Sequence, residues 1–164
     1  MIDLVPAGVG DAPEIQRLAD QIWKVVYPGI ISEEQIEYML GEMYSSAQIE
    51  RDLDEGGLYW LLQHQCKTVG FAAMGPSENE GELSLHKLYL IPNFHGKGLG
   101  TAALRKIVNV AKSQNATQVS LRVNRKNKRA IQAYKRAGFR ISREICTDIG
   151  RGFEMDDFVM VRSI

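Results

Sequence analysis

The apolar positions of this chain change period several times, and each change marks an element. Ile2 to Val5 reads as a short strand, broken by the Pro6 to Asp11 stretch. Ile15, Leu18, Ala19, Ile22 and Trp23 then recur at helical spacing. Asp11, with Glu14 three residues on, predicts the cap of this helix, and Tyr27-Pro-Gly ends it. Ser32 with Gln35 repeats the capping signal for a second helix through Ile36, Met39 and Leu40 to about Met43. Residues 45–54 fit a short third helix or an irregular connection. From Leu58 the period falls to two. Residues 58–64 and 68–74 predict a hairpin turning at Gln65 to Lys67, and Glu82 to Ile91 forms a further strand after a small, acidic connection. Leu99, Ala103, Leu104, Ile107, Val108 and Ala111 restore the helical period, and Gln118 to Val123 returns as a strand. Asn127 opens a last helix with Ala130, Ile131, Tyr134 and Ala137 on one face, and Gly138 stops it. Residues 139–148 and 153–161 close the chain as a second hairpin.

This order predicts an α+β fold with a mixed, mostly antiparallel sheet of about seven strands flanked by helices. Only the strand, helix, strand crossover in the middle asks for parallel pairing. With no repeat, low-complexity run or linker, residues 1–164 are expected to form one domain. Cys66 and Cys146 lie far apart and are expected to be reduced, in the core or half buried. No leader-like segment or long apolar run is present, so a cytoplasmic protein without a membrane span is expected.

Charge changes the picture more than composition does. The 164 residues are neutral overall, yet residues 1–82 carry a net −11, while residues 83–143 hold fourteen Lys or Arg and no acid. A basic middle suits an anionic ligand, and an acidic remainder suits a cationic one. Nucleic acid would need a basic face with stacking aromatics, and this segment has only Tyr89, Phe94, Tyr134 and Phe139, so no nucleic-acid partner is expected.

Inside the basic segment the strand Leu88-Tyr89-Leu90-Ile91 meets Pro92 and then His95-Gly96-Lys97-Gly98-Leu99-Gly100-Thr101, which opens a helix. Alternating glycines let backbone approach a ligand, and first-turn amides point outward unpaired, as a phosphate requires. An isolated Gly-x-Gly also makes an ordinary tight turn. The spacing fits neither a P-loop nor a dinucleotide fingerprint: Lys97 precedes the last glycines, and no acid follows before Glu144.

A second signature sits downstream. Asn127-Lys-Arg-Ala-Ile-Gln-Ala-Tyr-Lys-Arg-Ala-Gly-Phe139 is similar to Asn-x-x-Ala-x-x-x-Tyr-x-x-x-Gly-Phe of the GNAT superfamily of acetyl-CoA-dependent N-acetyltransferases. Leu88 to Gly100 resembles that family's strand, proline and Gln/Arg-x-x-Gly-x-Gly/Ala loop, except that His95 stands where Gln or Arg is usual. The resemblance implies a sheet splayed between its fourth and fifth strands, with acetyl-CoA in the gap. It assigns the amides of Gly96 to Thr101, with Lys97 and His95, to the pyrophosphate. Backbone of Leu88, Tyr89 and Leu90 goes to the pantetheine arm, together with Asn127, which as a sequence feature is also a plain helix cap. Tyr134 is assigned to the thioester sulfur, where a phenol can donate a proton to a departing thiolate; packing is its alternative role.

A protonated amine must lose a proton before it attacks. Glu82 and then His86 are the candidate bases, because both are even-numbered on the strand leading to the loop. Either also fits as a surface residue. Trp23 and Tyr27 are candidate pocket walls, with core packing equally open for Trp23. Asp148, Glu154, Asp156 and Asp157 form an acidic set that could order a basic substrate, or a solvated turn. Residues 147–160 are similar to the ending of small-amine and polyamine acetyltransferases. The expectation is acetyl transfer to a primary amine of a small basic metabolite. A protein N-terminal acetyltransferase and a noncatalytic acyl-CoA sensor are the alternatives. A homodimer would cover exposed edge strands.

Overall fold

The computed structural model describes residues 1–164. The chain runs β1 (Asp3–Ala7), α1 (Ala12–Val26), α2 (Glu33–Met43), α3 (Ser46–Asp54), β2 (Leu58–His64), β3 (Lys67–Pro76), β4 (Glu82–Leu90), α4 (Leu99–Ser113), β5 (Gln118–Asn124), α5 (Lys128–Arg136), β6 (Arg140–Gly150) and β7 (Phe153–Ser163). Seven strands form one sheet in the order β1-β2-β3-β4-β5-β7-β6. Every pairing is antiparallel except β4 with β5. That exception is the crossover through α4 which the sequence predicts.

Period two along the strands gives the sheet two apolar faces. One packs Val69, Ala72, Met74, Leu85, Leu121 and Met160 against the α4 stripe and against Ile131 of α5. The other packs Tyr59, Leu61, Phe71 and Ala73 against α1, α2 and α3. Residues 45–54, left open by periodicity, form α3 because Ser45 caps it, accepting from Gln48 N–H at 3.2 Å. Ser32 caps α2 in the same way. Asp11 occupies the N-cap position of α1, but its side chain makes no cap bond to that helix. Its carboxylate turns back to Gly8 N–H at 2.9 Å, closing a short 3-10 turn instead. Both cysteines are exposed rather than half buried, and Cys66 sits in the β2–β3 turn, where it and Gln65 take positive φ. No helix is long and apolar enough to cross a membrane.

Two features of β4 position the site. Its ladder with β5 joins Glu82–Leu85 to Gln118–Leu121 and stops, although both strands continue. On its other side, the register with β3 shifts between Ala73 and Met74, so that Leu85 pairs with Met74 and Lys87 with Ala73. His86 is the extra residue of a β-bulge, which bends and twists the strand at the point where β5 falls away. The bulge also inverts the alternation. Leu83 and Leu85 face the α4 core before it, and Leu88 and Leu90 after it.

Beyond the bulge, β3 alone holds β4, and the approach is tight at Gly70. A Cβ there would lie 2.1 Å from Tyr89 O and 3.0 Å from Leu90 Cα. Gly70→Ala is therefore expected to push β4 off β3 at a cost of about 1–3 kcal/mol. Thermal denaturation checks this, and an unchanged Tm would contradict the packing described.

Candidate active site

The parting of β4 and β5 opens a cleft of about 1790 Å³ that runs through the sheet from one layer of helices to the other. On its α4 side lies the glycine loop. Gly96 and Gly98 take φ of 74° and 75°, the left-handed region open to glycine, and a Cβ at either would meet no atom within 4 Å. The cradle thus faces open space. Gly98 is the N-cap of α4 without a side-chain cap, and Ala102 N–H starts the helical ladder by donating to Gly98 O at 3.0 Å. The amides of Leu99, Gly100 and Thr101 precede that first bond and have no intrahelical acceptor, so they suit an anion. Lys97 lies beside the loop, its Nζ 5.3 Å from the Phe94 ring centroid.

His95 is committed elsewhere. Its Nε2 lies 2.8 Å from Leu90 O and must donate to that carbonyl, which leaves Nδ1 to accept from Arg129 Nη1 at 2.5 Å. A neutral imidazole therefore ties the end of β4 to the first turn of α5, across the mouth of the cleft. Burial, with the Arg129 guanidinium adding to it, holds His95 below the ordinary imidazole value. The Leu90 carbonyl is consumed by this contact, and the Tyr89 carbonyl faces β3 at Gly70, which leaves the backbone of Leu88 along the open edge. Arg129 was not singled out from sequence. The signal for it was the unbroken basic run, which did not distinguish it from its neighbours.

Asn127 caps α5, its Oδ1 accepting from Ala130 N–H at 3.3 Å, so its carboxamide N–H₂ is the part left for a ligand. Tyr134, about two turns on, enters the cleft from the α5 face. Burial alone pushes its pKa to about 12, so the phenol keeps its proton at neutral pH. Its ring also packs against Phe139 at 5.9 Å.

The opposite side of the cleft is aromatic. The Tyr27 and Tyr89 hydroxyls are 3.0 Å apart, and Trp23 stacks behind them at 4.3 and 5.9 Å between ring centroids. Trp23 is 3% exposed, so it lines the cleft with little surface and packs mainly behind this wall. The Tyr89 side chain turns into the wall while its backbone stays on β4. Burial raises the pKa of Tyr27 and Tyr89 well above the ordinary phenol value, and the nearness of Tyr134 adds to both. Lys87, which sequence reasoning passed over, closes the lower wall. Its Nζ lies 2.6 Å from Tyr59 Oη and 3.3 Å from Asp52 Oδ2, tying β4 to α3.

The two candidate bases are engaged differently. Glu82 is buried, and its carboxylate accepts from Ser77 Oγ at 2.6 Å, Gln118 Nε2 at 2.6 Å and Asn79 Nδ2 at 3.3 Å. Burial opposes its charge, but the donors win and hold its pKa below the ordinary value. Such a carboxylate pins the start of the β4–β5 pair and is a weak base. His86 sits at the bulge and stands over Gly75, where a Cβ would meet its Nε2 at 3.0 Å. The cleft walls, and then the Lys87 ammonium, lower its pKa.

The acidic set divides between two faces. Asp148 and Glu154 are register partners, both exposed, and Asp148 Oδ1 accepts from Gly150 N–H. Asp156 is exposed and lies 3.6 Å from Arg125 Nη1. Asp157, one residue on, faces the opposite way, into the cleft, and is 3% exposed. The α2 helix reaches this hairpin through Tyr38 Oη donating to Ile149 O at 2.5 Å and Gln35 Nε2 donating to Glu154 O at 2.7 Å.

The His95 geometry has a pH signature. With its folded-state pKa below the ordinary 6.5, the unfolded chain binds more protons just below that pH. The His95 share of stability is expected to fall as pH drops through this window; His86 adds to that fall and Asp157 opposes it in both proteins, so His95→Gln should show a shallower fall than wild type. Urea unfolding from pH 5 to 8 checks it; parallel curves for the two proteins would contradict the assigned hydrogen bonds.

Comparisons with known proteins meet this geometry. Residues 20–139 match the acetyltransferase (GNAT) family. An uncharacterized N-acetyltransferase of Mycobacterium tuberculosis is 31% identical over 155 residues, covering 94% of this chain and 98% of its own. The spermidine N(1)-acetyltransferase of Thermoplasma acidophilum is 28% identical over 145 residues, covering 85% of this chain and 89% of its own. The crystal structure of the PaiA N-acetyltransferase of Thermoplasma acidophilum, in complex with coenzyme A, has the same fold. Its TM-score is 0.83 at 24% identity, over 100% of this chain and 99% of that one. The family match over most of the length, on a sheet that parts between β4 and β5, makes this chain a member of the GNAT acetyltransferase family.

Proposed function

We propose that the chain transfers the acetyl group of acetyl-CoA to a primary amine of a small basic metabolite, by direct attack with both substrates bound. The observation that carries this reading is the single cleft joining the open amides of the glycine cradle to the Tyr134 hydroxyl and, beyond it, to the aromatic wall. Family membership and the spermidine acetyltransferase relative support it.

The residues present fit the cofactor. The amides from Gly96 to Thr101, with Lys97 and Arg129, would hold the pyrophosphate. The open edge at Leu88 and the Asn127 carboxamide would hold the pantetheine arm, with the Tyr89 backbone turned to β3. His95 serves by fixing Arg129 rather than by gripping phosphate itself. When bound, acetyl-CoA supplies an activated acyl carbon and a thiolate leaving group. Tyr134 keeps its proton until a departing thiolate needs it, and Trp23, Tyr27 and Tyr89 exclude water from the acceptor side. The reading is of a cytoplasmic enzyme, and the edge strands β1 and β6 are where a homodimer would form.

Calorimetry with acetyl-CoA, followed by thiol release across a panel of free amines and N-terminal peptides, tests the proposal. Tyr134→Phe should lower kcat by about 100-fold while leaving acetyl-CoA binding intact. Gly98→Asp places a carboxylate in the cradle at a positive φ and should abolish binding, while His95→Gln should preserve it. Peptides outperforming every free amine would replace the small-amine reading. Tight acetyl-CoA binding without turnover would replace the enzyme by a sensor.

A further inference from the structure

A buried carboxylate ordinarily has partners, because an unpaired one costs more than the fold can recover from packing. Asp157 breaks this rule. It is 3% exposed, and its Oδ2 has no hydrogen-bond donor anywhere in the chain. The strands on either side place Asn124 and Ile145 opposite it, and neither is ionisable. Arg122 of β5 is the cation that faces it, yet that guanidinium donates to Thr147 Oγ1 at 3.4 Å and forms no ion pair with Asp157. The other charged or titratable groups nearby are Asp156 on its own strand, Tyr27 at the end of α1 and the Cys146 thiol of β6. Nothing in the fold needs this charge, and the cleft is where it points.

Its position matches the acceptor. Asp157 comes from the face covered by α1 and α2, and Tyr134 from the face covered by α5. Both are near enough to the Tyr27 hydroxyl to raise its pKa further, after burial and Tyr89. The carboxylate and the phenol therefore both approach the Tyr27 hydroxyl, from opposite faces of the parted sheet. We propose that Asp157 receives the ammonium group of the acceptor amine and takes a proton from it. This rests on the acetyl-transfer reading above, and it moves the base from β4, where Glu82 is fully engaged, to β7.

The protons balance. An ammonium nitrogen sheds two protons on its way to an amide N–H. Asp157 takes one and passes it to water. Tyr134 gives its own proton to the departing sulfur as the C–N bond forms and the C–S bond breaks, and recovers the second from the nitrogen. Burial raises Asp157 to about 6, with Arg122 opposing, so the carboxylate is ionised and basic at neutral pH.

Asp157→Asn keeps the shape and removes the base. Thiol release with spermidine and a panel of monoamines, from pH 5.5 to 9, should show kcat/KM for the amine lowered by about 100-fold and the rising limb near pH 6 abolished. Acetyl-CoA affinity by calorimetry should stay within about twofold. The Tm at pH 8 should rise, because an unpaired buried charge is gone; a merely structural residue would lower it. Retention of kcat/KM within about threefold, with the limb intact, overturns the assignment, as does a limb that disappears only in His86→Gln or Glu82→Gln. Wild-type protein that releases no thiol with any amine overturns the acetyl-transfer reading, and this inference with it.

Discussion

Between His86 and Leu90, strand β4 has a neighbour on one side only. A sheet normally satisfies both edges of an interior strand, and leaving one open inside the molecule exposes backbone donors and acceptors that need another partner. This gap is held open from several directions. The bulge at His86 twists β4 away, Gly70 lets β3 grip it closely from behind, and Glu82 locks the paired end to Gln118. Helices α4 and α5 fill one face of the sheet and the aromatic cluster fills the other, so the strands cannot close on each other. An extended ligand with amide groups is the natural occupant of such an edge.

The rest of the site is arranged around the two ends of that gap. At the mouth, left-handed glycines turn the first amides of α4 outward, and the His95–Arg129 contact holds a guanidinium near them. In the middle stands Tyr134, a neutral phenol kept so by burial. At the far end, the wall of Trp23, Tyr27 and Tyr89 shelters a lone carboxylate. Of the basic segment, Lys97 beside the glycine loop and Arg129 on His95 lie at the mouth.

The order of elements was legible because α4 and α1 keep clean helical periods, the strands are short apolar runs bounded by turns, and Ser32 and the glycines mark ends with specific backbone chemistry. The two separated motifs then located the gap between β4 and β5. What sequence could not convey was which donors each polar side chain meets. Glu82 read as an available base because Ser77, Asn79 and Gln118 converge on it only through the β3–β4 turn and the parallel pair. His95 read as a weakened phosphate ligand because its bond to Arg129 spans two elements. Asp157 was hidden among Asp148, Glu154 and Asp156. Period two does separate it from its neighbours, but only the packing of α1 and α2 shows that its face is the buried one. Asp11 misled for a local reason: its carboxylate satisfies Gly8, one turn earlier than the capping pattern suggests.

Amide hydrogen exchange, measured residue by residue with and without acetyl-CoA, tests most directly whether the open edge of β4 is the cofactor site. Slowed exchange is expected at the amides from Gly96 to Thr101 and at Leu88 and Leu90, whose backbone faces the gap, with Tyr89 and β1 unchanged. Binding that leaves these amides as they were, or that protects a different edge of the sheet, would contradict it.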